Sequence, residues 1–401
     1  MFYRIEQTTM PHPTDSPTVL SPLSGVRVVE ICNVAAGPFC SLVLADMGAD
    51  VIKLESPGSG DTLRAWPPHT GPDQDRLSEN FASLNRNKRS ITLDLKNAQE
   101  NAQAKALIAD ADVLIENNRP GVMKRLGLDF ETLHALNPKL IYCSISAYGQ
   151  TGPRANEGGF DVTIQAMSGI MSVTGEPDGA PVKCGVPVAD FTAGLYGAMS
   201  ICAQLRQVQA SGQGVHIDVP MMGTSLAIAA LQTSEYFGVK RDPVKLGSAH
   251  PRNAPYQAFR AQDDYLVMAA GTQGLWETVC KVLKQEGWIA DPRFANTAKR
   301  AQNQLDLKTL METALQAATA SHWIVAFSQA GVPCCPINRY SDVLADPQTV
   351  AMEWVQPLHM ANGHATQTVG TPLKFNGAAA PIARRPPRLG EHNAEILGSL
   401  P

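Results

Sequence analysis

The chain has 401 residues, 44% of them hydrophobic, which can bury a large core and exceeds the usual size of one compact domain, so two lobes are expected. Its 33 basic and 37 acidic residues leave a net charge of −4 and form no long basic stripe, which argues against a nucleic-acid partner and for a small-molecule substrate. No apolar run approaches the roughly 20 residues that span a bilayer, and the first twenty residues lack the apolar stretch of a signal peptide, so a cytoplasmic protein with no membrane partner is expected.

Apolar, β-branched runs at 26–31, 51–55, 90–95, 113–116 and 140–144 predict buried strands. Between them, 37–48 starts with Pro38 just inside a helix and stops at Gly48, and 97–109 is a second amphipathic stretch. Alternating strands and helices imply an α/β fold with a Rossmann-like parallel sheet, whose ligands bind at the carboxyl ends of the strands. The first strand-to-helix junction, Asn33 to Pro38, is therefore a candidate ligand loop. It carries no GxGxxG, which disfavours a nicotinamide enzyme. The glycine-rich piece Pro57-Gly58-Ser59-Gly60-Asp61 lacks the Lys-Ser/Thr of a phosphate loop and reads as an ordinary surface turn.

Further on, Thr174-Gly175-Glu176-Pro177-Asp178-Gly179 sets a carboxylate in a tight turn. A long helical pattern over 191–209 ends at Ser211-Gly212-Gln213-Gly214; a strand at 215–219 precedes a helix from Pro220 to about Phe237. A strand at 265–270 and helices over 275–283 and 305–329 read as a smaller α+β domain, followed by a short helix at 342–348. The expected organisation is a flexible tail (1–22), a large domain (23–210), a linker (211–240), a small domain (241–330), and a linker that returns to the large domain (331–401). Eight cysteines without a CxxC, most of them in apolar runs, fit a reducing compartment, and nine histidines without HxxxH spacing give no support for a metal.

The stretches AAGPFCSLVLADMGADVIKLESPGSGD, NRNKRSITLDL, ADVLIENNRPGVMKRLGL, IYCSISAYGQTGP, TGEPDG, GVPCCPIN and LGEHN occur in an order and spacing that resemble the class III CoA-transferases, the family of formyl-CoA transferase and carnitine CoA-transferase. Within it, LGSAHPRNAPYQAF is most similar to the succinate-hydroxymethylglutarate CoA-transferase type, which implies a dicarboxylate or hydroxy-acid acceptor and succinyl-CoA as donor. The resemblance implies Asp178 as nucleophile, passing through an aspartyl anhydride and an aspartyl-CoA thioester. A carboxylate ionised at neutral pH needs no general base for that attack. Gly179 and Gly247 are candidate oxyanion donors. For coenzyme A, which is substrate rather than a permanently bound cofactor, the matching positions are Val34, Ala36, Leu93, Lys96, Asn117 and Arg125. Ser56 and Ser146 stand where formyl-CoA transferase has basic residues, with Arg119 or Lys88 as candidate replacements. His250 and Arg252 are candidates for holding a distal carboxylate. The racemase branch, which epimerises 2-methylacyl-CoA, offers an alternative: Asp190 aligns with its acid, but its histidine would fall at Phe160, and His134 is too far along the chain to replace it. A CoA-binding protein without turnover is a second alternative. The family also implies a homodimer of interlocked chains.

Overall fold

The computed structural model describes residues 21–400. The expected tail (1–22) falls mainly, and the reading of the first twenty residues wholly, outside that range. The chain separates into two compact units, each built from discontinuous segments.

Among the described residues, the first unit takes in the chain from 21 to 164, Pro187–Ser225 and residues 348–400. Its centre is a six-stranded sheet of β1 (Arg27–Ile31), β2 (Asp50–Glu55), β3 (Lys88–Thr92), β4 (Val113–Glu116), β5 (Ile141–Ser146) and β6 (Val215–Pro220). The order is β3-β2-β1-β4-β5-β6 and every pairing is parallel. This is the Rossmann order, with the switch point between β1 and β4. The runs read as buried strands are indeed buried, because both faces are covered. One apolar cluster contains Val28, Val51, Val113, Ile141 and Cys143, and the other contains Val29, Ile52, Leu54, Leu114 and Tyr142. Alternate residues of each strand thus feed opposite cores.

Helix α1 (Ala36–Asp46) follows β1, α2 (Ala98–Ala109) is capped by the Asn97 side chain, and α3 (Val188–Ser211) packs along α1. Glycine allows that close approach: a Cβ on Gly194 would lie 2.8 Å from the Ala36 carbonyl oxygen, and one on Gly197 would lie 3.0 Å from Cys40 Sγ. The third strand begins at Lys88, two residues before the expected Ser90, and ends at Thr92, three residues before the expected Leu95. Lys88 stays inside because its ammonium finds a buried carboxylate.

The second unit comprises Gln165–Val186 and Leu226–Pro347. The segment Gln165–Val186 clusters here, although the sequence places it within 23–210. A three-stranded antiparallel sheet of β7 (Tyr256–Arg260), β8 (Tyr265–Ala269) and β9 (Cys334–Pro336), in the order β9-β8-β7, carries helices α4 (Gln273–Val282), α5 (Gln304–Leu315) and α6 (Ala320–Gln329). Phe259, Trp276, Phe294 and Phe327 form its core. The single helix expected over 305–329 is two, because Thr319 is extended and its hydroxyl accepts the His322 N–H at 3.3 Å, starting α6 afresh. The helix expected from Pro220 to Phe237 is likewise two, Met221–Ile228 and Ala230–Val239, and the one expected at 342–348 is replaced by Tyr340–Leu344 and Pro347–Ala351.

Among the described residues no helix is long and apolar enough to cross a membrane, no group of three His, Cys, Asp or Glu could hold a metal, and all eight cysteines are free.

Candidate active site

In the first unit a cavity of about 220 Å³ opens at the switch point. The loop after β1 (Asn33, Val34, Ala35, Ala36) forms one wall, and the loop after β4 (Asn117, Asn118, Arg119, Pro120) forms another. Ser146, Glu157, Gly158, Gly159, Phe160 and Asp190 also line it. Two loops leaving neighbouring strands in opposite directions create this crevice in any doubly wound sheet.

The walls are tied to each other. The Asn117 side chain accepts the Asn33 N–H at 2.9 Å and donates to the Asn33 carbonyl at 2.8 Å. Asn118 donates its N–H to Glu116 at 2.8 Å, and burial raises the Glu116 pKa to about 6 against the pull of Ser144 and Asn118. Gly37 must be glycine, since a Cβ there would sit 2.4 Å from Cys32 Sγ. Asp190, in the first turn of α3, is raised to about 7 by burial and then by the neighbouring Asp161.

Of the six positions matched to coenzyme A, Val34, Ala36 and Asn117 line this cavity. Lys96 and Arg125 are exposed, open to an anionic ligand. Leu93 is 2% exposed within an apolar cluster, so its side chain offers no surface to a ligand. Arg119 is exposed on the cavity wall, and its guanidinium lies against Gly158, where a Cβ would stand 2.7 Å from it. Lys88, the other suggested phosphate contact, has no exposed side-chain surface and is bound to Glu30 at 2.9 Å; it cannot reach a phosphate. Phe160 is 70% exposed on the rim, and His134 lies on the helix Phe130–Leu136, its ring tilted against Phe130.

Asp178, Gly179, Gly247, His250 and Arg252 all belong to the second unit. Asp178 is exposed in a turn closed by the Gly179 N–H donating to the Glu176 carbonyl at 3.0 Å. Two further bonds clamp the turn to the segment around Gly247: the Gly247 N–H donates to the Gly175 carbonyl at 2.9 Å, and Lys245 Nζ donates to the Gly179 carbonyl at 2.6 Å. The two glycine segments singled out in the sequence therefore meet. Gly247 has φ +59, a left-handed conformation that favours glycine, and the exposed Glu176 carboxylate lies beside it. The N–H groups of Gly179 and Gly247, proposed as oxyanion donors, are committed to these carbonyls and work as clamps of the turn. His250 Nδ1 accepts from the N–H groups of Arg252 and Asn253, both at 3.1 Å. Arg252 pairs with Glu235 at 3.1 Å, so its charge already has a partner.

The model of CoA-transferase family III matches residues 23–393. The succinate–glutarate CoA-transferase of Agrobacterium fabrum is 40% identical over 390 residues, covering 96% of this chain and 98% of that one. The human succinyl-CoA:glutarate CoA-transferase is 35% identical, covering 94% and 86%. Among solved structures, a CAIB/BAIF family protein from Brucella suis superposes with a TM-score of 0.85 at 38% identity, covering 95% of this chain and 99% of that one. The switch-point cavity and the turn aspartate thus lie in a chain alike over nearly its full length to these proteins in sequence and fold, and it belongs to CoA-transferase family III as a CoA-transferase.

Proposed function

We propose that the protein carries CoA from succinyl-CoA to a dicarboxylic acid, with glutarate as the leading acceptor, through covalent intermediates on Asp178. The observation that carries this reading is the exposed carboxylate of Asp178 on a turn clamped from three sides, supported by relatives named for succinyl-CoA and glutarate.

An Asp178 carboxylate oxygen attacks the thioester carbonyl, the C–S bond breaks and the CoA thiolate departs, leaving a succinyl–aspartyl anhydride. The thiolate then attacks the aspartyl carbonyl and expels succinate, giving an aspartyl-CoA thioester. The acceptor carboxylate attacks that thioester, releasing thiolate and forming a second anhydride. Thiolate attack on the acceptor's acyl carbon yields the new acyl-CoA and frees Asp178. One carboxylate replaces another throughout, so no step needs a metal or a nucleotide. Val34, Ala36 and Asn117 would receive CoA, with the exposed Lys96 and Arg125 facing its phosphates. A cytoplasmic homodimer of interlocked chains goes with this reading. The racemase alternative keeps an acid, Asp190, in the cavity, but Phe160 supplies no base beside it.

Incubation with succinyl-CoA, a hydroxylamine or borohydride quench and peptide mass spectrometry test the assignment. Label on the peptide containing Asp178 is expected, and Asp178→Ala should lower kcat by at least about 10³-fold. An unlabelled Asp178, or a D178A enzyme that still turns over, would refute it.

A further inference from the structure

Val34 is a β-branched residue at φ 64, on the wall of the switch-point cavity. Such a conformation costs on the order of 1–3 kcal/mol and persists only where the surroundings enforce it. Here the surroundings are buried charges. The Val34 N–H donates to Asp61 Oδ1 at 3.1 Å. Asp61 is 1% exposed, its Oδ1 also accepts the Leu63 N–H at 2.9 Å, and its Oδ2 lies 2.8 Å from Lys53 Nζ. Lys53 Nζ donates in turn to the Cys32 carbonyl at 2.9 Å and meets Glu30 Oε1 at 2.7 Å. Glu30 Oε2 holds Lys88, whose ammonium donates to the Pro38 carbonyl at 2.9 Å. Both ends of the loop, Cys32 and Pro38, and its middle, Val34, are thus fastened to one buried group of two carboxylates and two ammoniums.

The geometry points to Asp61 as a positioning residue: it touches no substrate, but by holding the Val34 N–H it fixes the wall that receives the CoA thioester. A buried ion-pair group of this kind is weak evidence for stability, since apolar side chains of similar volume often serve a core as well. What they could not do is take a bond from one backbone N–H and keep a valine in the left-handed region. The inference rests on the reading that coenzyme A binds at Val34, Ala36 and Asn117.

Free CoA is titrated into the full chain by calorimetry, KM values for succinyl-CoA and for the acceptor acid are measured separately, and hydrogen exchange is followed at amides 33–36. Asp61→Asn should weaken CoA binding and raise KM for succinyl-CoA by about tenfold or more, leave KM for the acceptor within about twofold, and speed exchange at Val34. Glycine adopts the left-handed conformation without aid, so in a Val34→Gly background the Asp61→Asn substitution should change the CoA Kd by less than about twofold. Unchanged CoA affinity in D61N, or effects of D61N and V34G that simply multiply, would overturn the inference. If D61N fails to fold, Asp61→Glu keeps the charge for Lys53 while displacing the carboxylate from the Val34 N–H, and it carries the same expectation. A wild-type protein that neither binds CoA nor transfers it would sink the transferase reading by itself. The exchange comparison would still decide whether Asp61 holds the loop, and equal exchange in D61N and wild type would overturn that.

Discussion

At neutral pH the Asp190 carboxyl is close to half-protonated, because burial and then Asp161 raise its pKa to about 7 from an ordinary 3.8. The folded chain therefore holds a proton that the unfolded chain releases. The resulting stabilisation is complete below pH 3.8 and is lost as pH rises through about 7. Asp190→Asn removes the ionisation. Thermal melts should coincide with wild type near pH 4, whereas at pH 8 the variant should be more stable by on the order of 1–2 kcal/mol after allowance for partial exposure. Coincident melts at pH 8 would mean that the carboxylate ionises there without penalty. Residues of this kind are where the sequence was least legible. Asp178 announces itself through its turn, but Asp61 closes a run of glycines and reads as part of a surface turn. Ser56 to Ser59 are indeed exposed, while Asp61 is buried against Lys53. Lys88, which the sequence offers as a phosphate contact, is fully buried. The partners that make this burial possible, Glu30, Lys53, Asp61 and Lys88, are scattered over three strands and a turn, so no local pattern marks them.

Among the elements, β3 has an edge of the six-stranded sheet to manage. Exposed parallel edges invite pairing with other chains. Here the segment from Ala383 to Asn393 covers it: His392 Nδ1 accepts the Ser90 N–H at 3.2 Å, the His392 N–H returns to the Ser90 carbonyl at 2.9 Å, and Asn393 Oδ1 accepts the Thr92 N–H at 2.9 Å. Asn87, just before the strand, accepts the N–H groups of Ala383 and Arg384 through its side chain. Deleting residues 384–401 should uncover the edge, and light scattering should show soluble aggregates at concentrations where the intact chain has none; equal scattering would show that the edge needs no cover. Strand identity was legible because strands buried on both faces are rich in apolar, β-branched residues, even though Glu30, Lys53 and Lys88 lie buried among them. Helix breaks were not, since Thr319 interrupts an amphipathic pattern without a proline or glycine to mark the stop.

For the whole molecule, acid should reveal the buried charges. Burial opposes the ionisation of Glu30, yet Lys53 and Lys88 override it and lower its pKa to about 2 from 4.5. Its contribution is present above pH 4.5 and disappears as pH falls through about 2. Glu30→Gln should cost about 3–5 kcal/mol at pH 7 by leaving the buried Lys88 without a carboxylate and Lys53 with Asp61 alone, and its stability should vary less than that of wild type between pH 4.5 and 2. Urea titrations read by far-UV circular dichroism at a series of pH values measure both, and parallel pH profiles would contradict the assignment. Alternation of strands and helices made the doubly wound sheet readable, because each element's period is local. The grouping of Gln165–Val186 with Leu226–Pro347 was not, since it depends on contacts between segments far apart in the chain.

The cover over β3 also orders events during synthesis. His392 is made 302 residues after Ser90, an interval of about 15 to 60 s at ordinary rates of translation. Throughout that time the nascent chain carries a strand whose outer hydrogen-bonding groups have no partner from its own sequence. A ribosome that stalls late, or a message cut short near its 3′ end, would release a polypeptide complete in every strand of the sheet but missing the piece that keeps neighbouring molecules off it. Such products call for a chaperone or a protease.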